Sequence, residues 1–248
     1  MIVTRFSQLI RDYHRLGTGD VFIGQVPSSC LKSALLTDLT ERGVRLVPSA
    51  TAQVLNASKV AQAFLLNPWM VPPTLAITRR KELLDAVTTY SQKGIPVAIT
   101  KADGLHCGHG VRKWDNLETL YSCLAFDEKA FPFVLQPWVT DFMDVRVVMV
   151  GDYCEAYSRR NLHNFRMNLA AGGHSEPHVL TQAQTEFCRG VLARAGMPYA
   201  HLDLMLLDDG SAYLSEIRLN GGIQGARIQR NELEQMKQAR LMELAERL

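Results

Sequence analysis

The stretch that decides the fold runs from residue 201 to residue 220, HLDLMLLDDGSAYLSEIRLN, and contains two apolar runs around a turn sequence. Both runs, 201–207 and 211–217, are predicted as strands because apolar residues dominate them and Asp and Gly separate them. A turn at Asp208-Asp209-Gly210 makes the two strands an antiparallel hairpin.

Two acidic residues of this hairpin, Asp203 and Glu216, are expected to face each other if the turn has two or four residues. Residues directly opposite in such a hairpin have Cβ atoms about 5 Å apart. Two carboxylates this close repel each other unless a cation lies between them, and Mg²⁺ (or Mn²⁺) combines carboxylate with phosphate oxygens. If the turn has three residues, the register shifts and the carboxylates separate.

Outside the hairpin, short apolar strands alternate with amphipathic helices, which predicts an α/β (α+β) protein. The chain has 248 residues, which suffices for one to two domains. With 47% hydrophobic and 21% charged residues, its composition is that of a globular protein. The net charge of +2 gives no reason to expect nucleic acid or an anionic membrane as a partner.

Cysteine usage and the N-terminal sequence predict a cytoplasmic protein. The five cysteines include no Cys-x-x-Cys pair and are too scattered for a disulfide framework. The first residues lack the apolar core of a signal peptide. The most apolar stretch, 60–77, is interrupted by prolines and polar residues, so no membrane span of about 20 apolar residues is expected.

A glycine loop, KADGLHCGHGV, follows the predicted buried strand 95–101 and begins at Lys101. Glycines let backbone N–H groups approach phosphate oxygens, and the lysine adds a positive charge. The loop contains no Gly-Lys-Ser/Thr element and does not open a helix, which excludes a P-loop and a Rossmann fingerprint. Its histidines and cysteine lack a fourth ligand for zinc. A plain surface hairpin is the alternative interpretation.

A second hairpin is predicted from the strands 145–150 and 153–158, which are joined at Gly151-Asp152. This turn places Asp144 opposite Arg159. A cross-strand ion pair worth about 0.2–1 kcal/mol explains that arrangement. The alternative is that these residues contribute to phosphate binding, which applies if other features of the sequence also indicate a phosphate site.

The order of these features resembles the ATP-grasp superfamily and, within it, the RimK-like carboxylate–amine ligases. The ordered set comprises two lysines, the glycine loop, a strand ending in LQPWV, an Asp-x-Arg strand, an arginine pair, FRMNL, Gly-Gly and the facing carboxylates. It extends from about residue 56 to residue 225. The resemblance implies the ATP-grasp fold, in which two α/β lobes clasp ATP. The implied domains are a short α/β N-terminal domain at 1–55, a small lobe with the phosphate loop at 56–130, and a large lobe with the metal site and C-terminal helix at 131–248.

The resemblance also implies roles for individual residues. For ATP binding these are Lys59, Lys101, Gly104, Gly108, Gly110, the hinge residues Gln136, Pro137, Trp138 and Val139, and Asp144 near the ribose. Arg160 and Arg166 are implied as catalytic, with Arg160 binding phosphate and stabilising the transition state. Asp203 and Glu216 are implied as magnesium ligands.

The reaction implied by the resemblance is the ATP-dependent joining of a carboxylate to an amine through an acyl phosphate. Small-molecule or peptide carboxylates and amines are the expected partners, with no nucleic acid or membrane, and a homodimer is possible. Two alternatives remain open: a catalytically weakened ATP-grasp module that binds nucleotide and regulates, and an ATP-grasp phosphotransferase.

Two departures from the family pattern bear on these expectations. The family places Asn two residues after the metal-binding Glu, where this chain has Arg218. Either Asn220 replaces that ligand and Arg218 points toward a substrate carboxylate, or Arg218 occupies the cation position itself. Arg166, Asn168, Arg218 and Arg227 are the expected substrate contacts. The N-terminal domain, of about 55 residues, is short for the family, so a substrate surface or dimer contact is reduced or rebuilt.

Overall fold

Three sheets organise the protein, whose computed structural model describes residues 1–105, 108–161 and 172–246. The N-terminal sheet is parallel, with strand order β1-β2-β3. Its own core contains Leu9, Phe22 and Leu39, whereas Val21 and Ile23 pack into the main core of the molecule. The elements of this part are β1 (Ile2–Val3), α1 (Phe6–Asp12), β2 (Val21–Ile23), α2 (Lys32–Glu41), β3 (Arg45–Val47) and α3 (Ala50–Ala57).

The small-lobe sheet has four antiparallel strands in the order β4-β7-β5-β6. Helices α5 and α6 pack on it around Leu83, Tyr90 and Leu120. The elements are α4 (Lys59–Leu65), β4 (Leu75–Ile77), α5 (Arg80–Gln92), β5 (Ala98–Ala102), β6 (Val111–Trp114), α6 (Leu117–Leu124) and β7 (Phe133–Pro137). The expected boundary at residue 130 assigns β7 to the large lobe, but β7 pairs with β4 and β5 and thus extends the small-lobe sheet.

The large-lobe sheet has five antiparallel strands in the order β10-β9-β8-β11-β12. Its elements are β8 (Phe142–Val150), β9 (Tyr153–Arg160), β10 (His174–His178), α7 (Gln182–Ala195), β11 (Tyr199–Leu207), β12 (Ala212–Arg218) and α8 (Arg230–Glu246). Apolar residues of β8 and β11, such as Val147 and Leu202, form the main core with α7 and α8. The sheets and helices confirm the α+β class. No described helix is both long enough and apolar enough to cross a membrane.

The hairpin of β11 and β12 has a three-residue turn, since Leu207 N–H donates to Ser211 O at 2.9 Å. This register pairs Leu204 with Leu214 and, continued without interruption, would separate the two carboxylates. A β-bulge at Ser215 adds one residue to β12, so Asp203 pairs with Glu216. The predicted facing pair is confirmed, but a two- or four-residue turn was the wrong reason for it.

Candidate functional site

The bulge that aligns the carboxylates also connects the two lobes. Lys101, at the end of β5, donates from Nζ to the carbonyl oxygen of Ser215 at 3.2 Å and to its Oγ at 3.1 Å. Because a bulged residue is left out of the strand pairing, its carbonyl is available to a side chain of the other lobe. Lys101 is buried, and this burial lowers its pKa to about 8.

Asp203 lies at the centre of an ion-pair network on one face of the large sheet. Its carboxylate accepts from Arg146 Nε at 2.6 Å and Nη2 at 2.8 Å, and from Arg159 Nη2 at 3.2 Å. Burial alone would raise the pKa of Asp203, but the two guanidinium groups outweigh it and hold that pKa well below its usual value. Asp203 is therefore a carboxylate at every physiological pH.

Asp144 accepts from Arg159 Nε at 2.8 Å and Nη2 at 2.9 Å, and both side chains are buried. The predicted register of β8 and β9, in which Asp144 faces Arg159, is confirmed. Since Arg159 engages both carboxylate oxygens, the geometry supports the ion-pair interpretation of Asp144 over a ribose contact.

Glu216 contacts two further cations. Its Oε1 lies 3.3 Å from Lys59 Nζ and 2.5 Å from Arg218 Nε, and Arg218 Nη2 contacts the same oxygen. Together with Lys101, Arg146 and Arg159, these residues place five cationic groups around Asp144, Asp203 and Glu216. Among the described residues named here, the five cationic groups exceed the three carboxylates by two positive charges, which favours binding of a polyphosphate.

Arg218 pairs with Glu216, and the expected third metal ligand, Asn220, contacts α8. Asn220 is exposed, and its Oδ1 lies 3.5 Å from Lys237 Nζ on α8. Among the residues that the structure describes, no group of three His, Cys, Asp or Glu side chains is arranged to hold a metal.

The glycine loop packs against the start of α4. Asp103 accepts from Ser58 Oγ at 3.0 Å and from Val60 N–H at 3.2 Å, and Lys59 Nζ donates to the carbonyl of Leu105. Gly104 and Gly108 have φ values of 68° and 73°, which glycine adopts without strain. At Gly110, a Cβ would lie 2.8 Å from the Ala102 Cβ. The loop is therefore anchored at its base, next to Lys101.

The expected hinge forms the end of β7. Gln136 is buried and donates from Nε2 to Thr74 Oγ1 at 2.8 Å. Trp138 N–H donates to the Val97 carbonyl at 3.0 Å, and Lys113 Nζ lies 5.1 Å from the Trp138 ring centroid. Pro137, Trp138 and Val139 are partly exposed at the lobe junction.

The position of Arg160 differs from the one that a phosphate-binding role would require. It is exposed and, because side chains alternate along β9, lies on the opposite face of the sheet from Arg159. Arg159 is the member of the pair that reaches Asp144 and Asp203. Arg227 is 83% exposed, and its N–H donates to Glu155 at 2.6 Å, away from the carboxylate pair. Arg166 and Asn168 lie outside the described residues.

Two residues of this region were given no role by sequence reasoning. Arg146 was noted in the Asp-x-Arg strand, and because it shares a face with Asp144, strand alternation could have assigned it to the site. His201 is buried, and neither ring nitrogen has a hydrogen-bond partner among the described residues. Gly221 packs on its ring, where a Cβ would lie 2.9 Å from Cγ, and burial lowers the pKa of His201 to about 3. No sequence signal distinguishes this histidine from an ordinary core residue.

Two sheets that meet at a cluster of lysines, arginines and facing carboxylates define the ATP-grasp class of proteins. Solved structures share the fold: a D-cycloserine synthetase superposes with a TM-score of 0.65 at 16% identity, over 94% of this chain and 86% of that one. A D-alanine–D-alanine ligase from Bacillus anthracis, complexed with ATP, gives 0.63 at 14% identity, over 96% and 84%.

The sequence match is more specific than the fold. Residues 59–229 match the family model described as the ATP-grasp domain of prokaryotic glutathione synthetase, and the chain belongs to this family. Human N-acetylaspartylglutamate synthase A is 26% identical over 216 residues, which cover 82% of this chain and 54% of that protein. The chain thus spans about half the length of the curated relatives it matches.

Proposed function

We propose that this protein is an ATP- and Mg²⁺-dependent ligase of the RimK-like group that joins a carboxylate to an amine. The observation that carries the proposal is the facing pair Asp203 and Glu216 inside a cluster with two uncompensated positive charges. The ATP-grasp family supports it, because the relatives described above are named as synthetases and ligases. The chain's own substrates are the open part of this proposal.

ATP is assigned to the cleft between the small and large sheets. Lys59, Lys101 and Arg146 would contact its phosphates, and the backbone at Gln136 to Val139 would contact its base. Lys101 is already held at the cleft by Ser215, so its ammonium group is positioned before the nucleotide arrives. Such preorganised charge stabilises phosphoryl transfer without a covalent enzyme intermediate.

The donor set fits a magnesium ion, since Mg²⁺ is commonly held by one or two carboxylates together with substrate phosphates. Asp203 and Glu216 would provide those carboxylates, Lys59 would turn from Glu216 toward phosphate oxygens, and Arg218 would turn from Glu216 toward a substrate carboxylate. The ion would neutralise charge on the phosphates. No third side chain is required for this arrangement.

In the proposed reaction, a substrate carboxylate oxygen attacks the γ-phosphorus of ATP, the bond to the β-phosphate oxygen breaks, and ADP leaves. The amine nitrogen then attacks the acyl carbon, the acyl–oxygen bond breaks, and phosphate leaves while the nitrogen loses a proton to the departing phosphate or water. Arg146 and Lys101 hold phosphate oxygens through both steps. Arg159 is a positioning residue, because it fixes Asp144 and Asp203.

The test is release of ADP and phosphate from ATP in the presence of pooled amino acids and dipeptides. Release that depends on one pool, with an equivalent amount of new amide, is the expected result. A stable phosphorylated product without amide would instead show a phosphotransferase. Asp203→Asn should abolish release, whereas Asp208→Asn in the exposed turn provides a matched control that retains it.

A second candidate function is supported by the ion pair of Arg218 with Glu216. If this guanidinium group stays at the cation position, the protein binds ATP without metal and acts as a nucleotide-binding regulatory module. ATP affinity would then be unchanged by EDTA, and Arg218→Asn would make it metal-dependent. If the protein is instead a metal-dependent ligase, EDTA should lower the ATP affinity of the unsubstituted protein.

A further inference from the structure

A cavity of about 390 Å³ lies beside the phosphate cluster, on the side of the N-terminal sheet. Its walls come from the segment before α2, the end of α3, the glycine loop at Gly104 and the end of β12. Arg218 belongs to both sites, because it contacts Glu216 and also lines this cavity. The volume is at the lower end of small-molecule pockets, which are about 300–1,000 Å³.

The charges that line the cavity have one sign. Of the residues that the structure describes, Lys32 and Arg218 are the charged ones that line it, and no Asp or Glu does so. Within the described ranges, no carboxylate lies at ion-pair distance from Lys32, whose side chain is half-buried. Burial without a compensating anion lowers the pKa of Lys32. Partial burial disfavours the charged form of Lys32, so a bound anion would stabilise this arrangement.

Neutral polar groups fix the cavity wall between the two cations. Asn56 accepts from Leu219 N–H at 2.8 Å through Oδ1 and donates from Nδ2 to Gln25 Oε1 at 3.3 Å. These bonds tie α3 to the end of β12 and to the segment before α2. These bonds hold the wall that lies between the two cations, as expected for a largely preformed binding site.

We propose that this cavity binds a small dicarboxylate, with one carboxylate at Arg218 next to the phosphate cluster and the other at Lys32. Arg218 lines the cavity while its Nε and Nη2 contact Glu216, and a metal ion at Glu216 would release the guanidinium group to the substrate carboxylate. The identity of the reacting substrate as a dicarboxylate rests on the proposed ligase function. The binding itself does not, and is tested separately.

The binding test uses isothermal titration calorimetry with succinate and glutarate, in the presence of magnesium and a non-hydrolysable ATP analogue. The matched probes are succinamate and glutaramate, in which an amide replaces one carboxylate at nearly equal size. At least one dicarboxylate should bind about tenfold or more tightly than its monoamide, because a charge-assisted contact to Lys32 is lost in the monoamide.

Substitutions of Lys32 test whether this residue causes the preference for a dicarboxylate over its monoamide. Lys32→Gln should reduce the preference to less than threefold, Lys32→Arg should retain it, and Lys93→Gln on the exposed end of the small lobe should leave it unchanged. A melting curve of each variant establishes that it is folded. Equal affinity for acid and monoamide, no binding of either dicarboxylate, or full preference in Lys32→Gln would overturn the proposal.

The two proposals fail separately. Selective dicarboxylate binding without ADP release supports the cavity assignment and contradicts the ligase function. ADP release with amino acids, but no preference for acid over monoamide, supports the ligase function and contradicts the cavity assignment.

Discussion

Arg159 and Arg160 are neighbours in sequence but have opposite environments, because side chains alternate across a strand. Arg159 is buried against Asp144 and Asp203, and Arg160 is exposed on the other face. Their removal should therefore have very different effects.

Arg159→Met should lower the free energy of unfolding by about 3–5 kcal/mol, because it leaves the buried Asp144 carboxylate without its partner. Arg160→Met, the adjacent control, should stay within about 0.5 kcal/mol of the parent. Urea unfolding measures both. If Arg160→Met instead abolishes ATP turnover at unchanged stability, the catalytic role implied for Arg160 by the family resemblance is correct.

Lys101 should make ATP binding depend on pH. Its folded-state pKa of about 8 is below the ordinary value, so the ammonium group is charged below pH 8 and increasingly neutral above it. The charged form binds phosphate, hence ATP affinity should fall as pH rises through 8, by up to about tenfold per pH unit. Titrations at pH 7, 8 and 9 measure this dependence.

Lys101→Met is the matched variant for this dependence. It should bind ATP about 10- to 150-fold more weakly at pH 7, the range for a hydrogen bond to a charged group, and lose the decrease between pH 8 and 9. A variant that retains the parent's pH dependence would show that another group titrates.

At the level of elements, a β-bulge and a side chain that caps a helix position the site. The bulge at Ser215 corrects the register of β12 and presents a carbonyl to Lys101. Asp103 has a comparable effect on the glycine loop, since it accepts from Val60 N–H at the start of α4 and from Ser58 Oγ. The loop is thus fixed to a helix that lies in the same cleft.

Asp103→Ala should destabilise the protein by about 0.5–2 kcal/mol, as expected for the loss of a helix-capping side chain. It should also increase proteolytic cleavage at the glycine loop, because that loop loses its contact with α4. Asp85→Ala, on the exposed side of α5, is the control and should change neither property. Chemical unfolding and limited digestion with proteinase K, which needs no Lys or Arg in the loop, give the two measurements. If the loop of Asp103→Ala is cleaved no faster than that of the parent protein, the anchoring role is contradicted.

At the level of the whole molecule, the site exists only where the lobes meet. Lys101 of the small sheet contacts Ser215 of the large sheet, and Lys59 contacts Glu216. The buried Gln62 adds a neutral link, since it donates to Ile217 O at 2.8 Å and accepts from Ile217 N–H at 3.0 Å. A ligand in this cleft therefore stabilises both lobes together.

ATP with Mg²⁺ at 100 times its dissociation constant should stabilise the fold by about 2.7 kcal/mol, which for a chain of this length raises Tm by about 5–11 °C. Thermal unfolding is measured with ATP–Mg²⁺, with ATP and EDTA, and with Mg²⁺ alone. These three conditions separate the stabilisation by the nucleotide from that by the metal ion. Absence of any shift at millimolar ATP–Mg²⁺ would exclude both the ligase and the nucleotide-binding module.

The sequence by itself determined the features that depend on neighbouring positions along a strand. Alternation and turn residues predicted that Asp144 faces Arg159, and this pair is present in the structure. The ordered motifs also determined the fold class, because their succession follows the order of the lobes along the chain. These properties are local or sequential, so spacing along the chain is sufficient to predict them.

Only the tertiary structure decided which side chains meet. The three-residue turn would have separated Asp203 from Glu216, and a bulge whose position no turn signal marks restored their pairing. Lys59 reaches Glu216 from α4, and Lys32 reaches its cavity from the start of α2. Contacts between elements depend on how sheets and helices pack, which is a property of the whole chain and not of any single stretch of it.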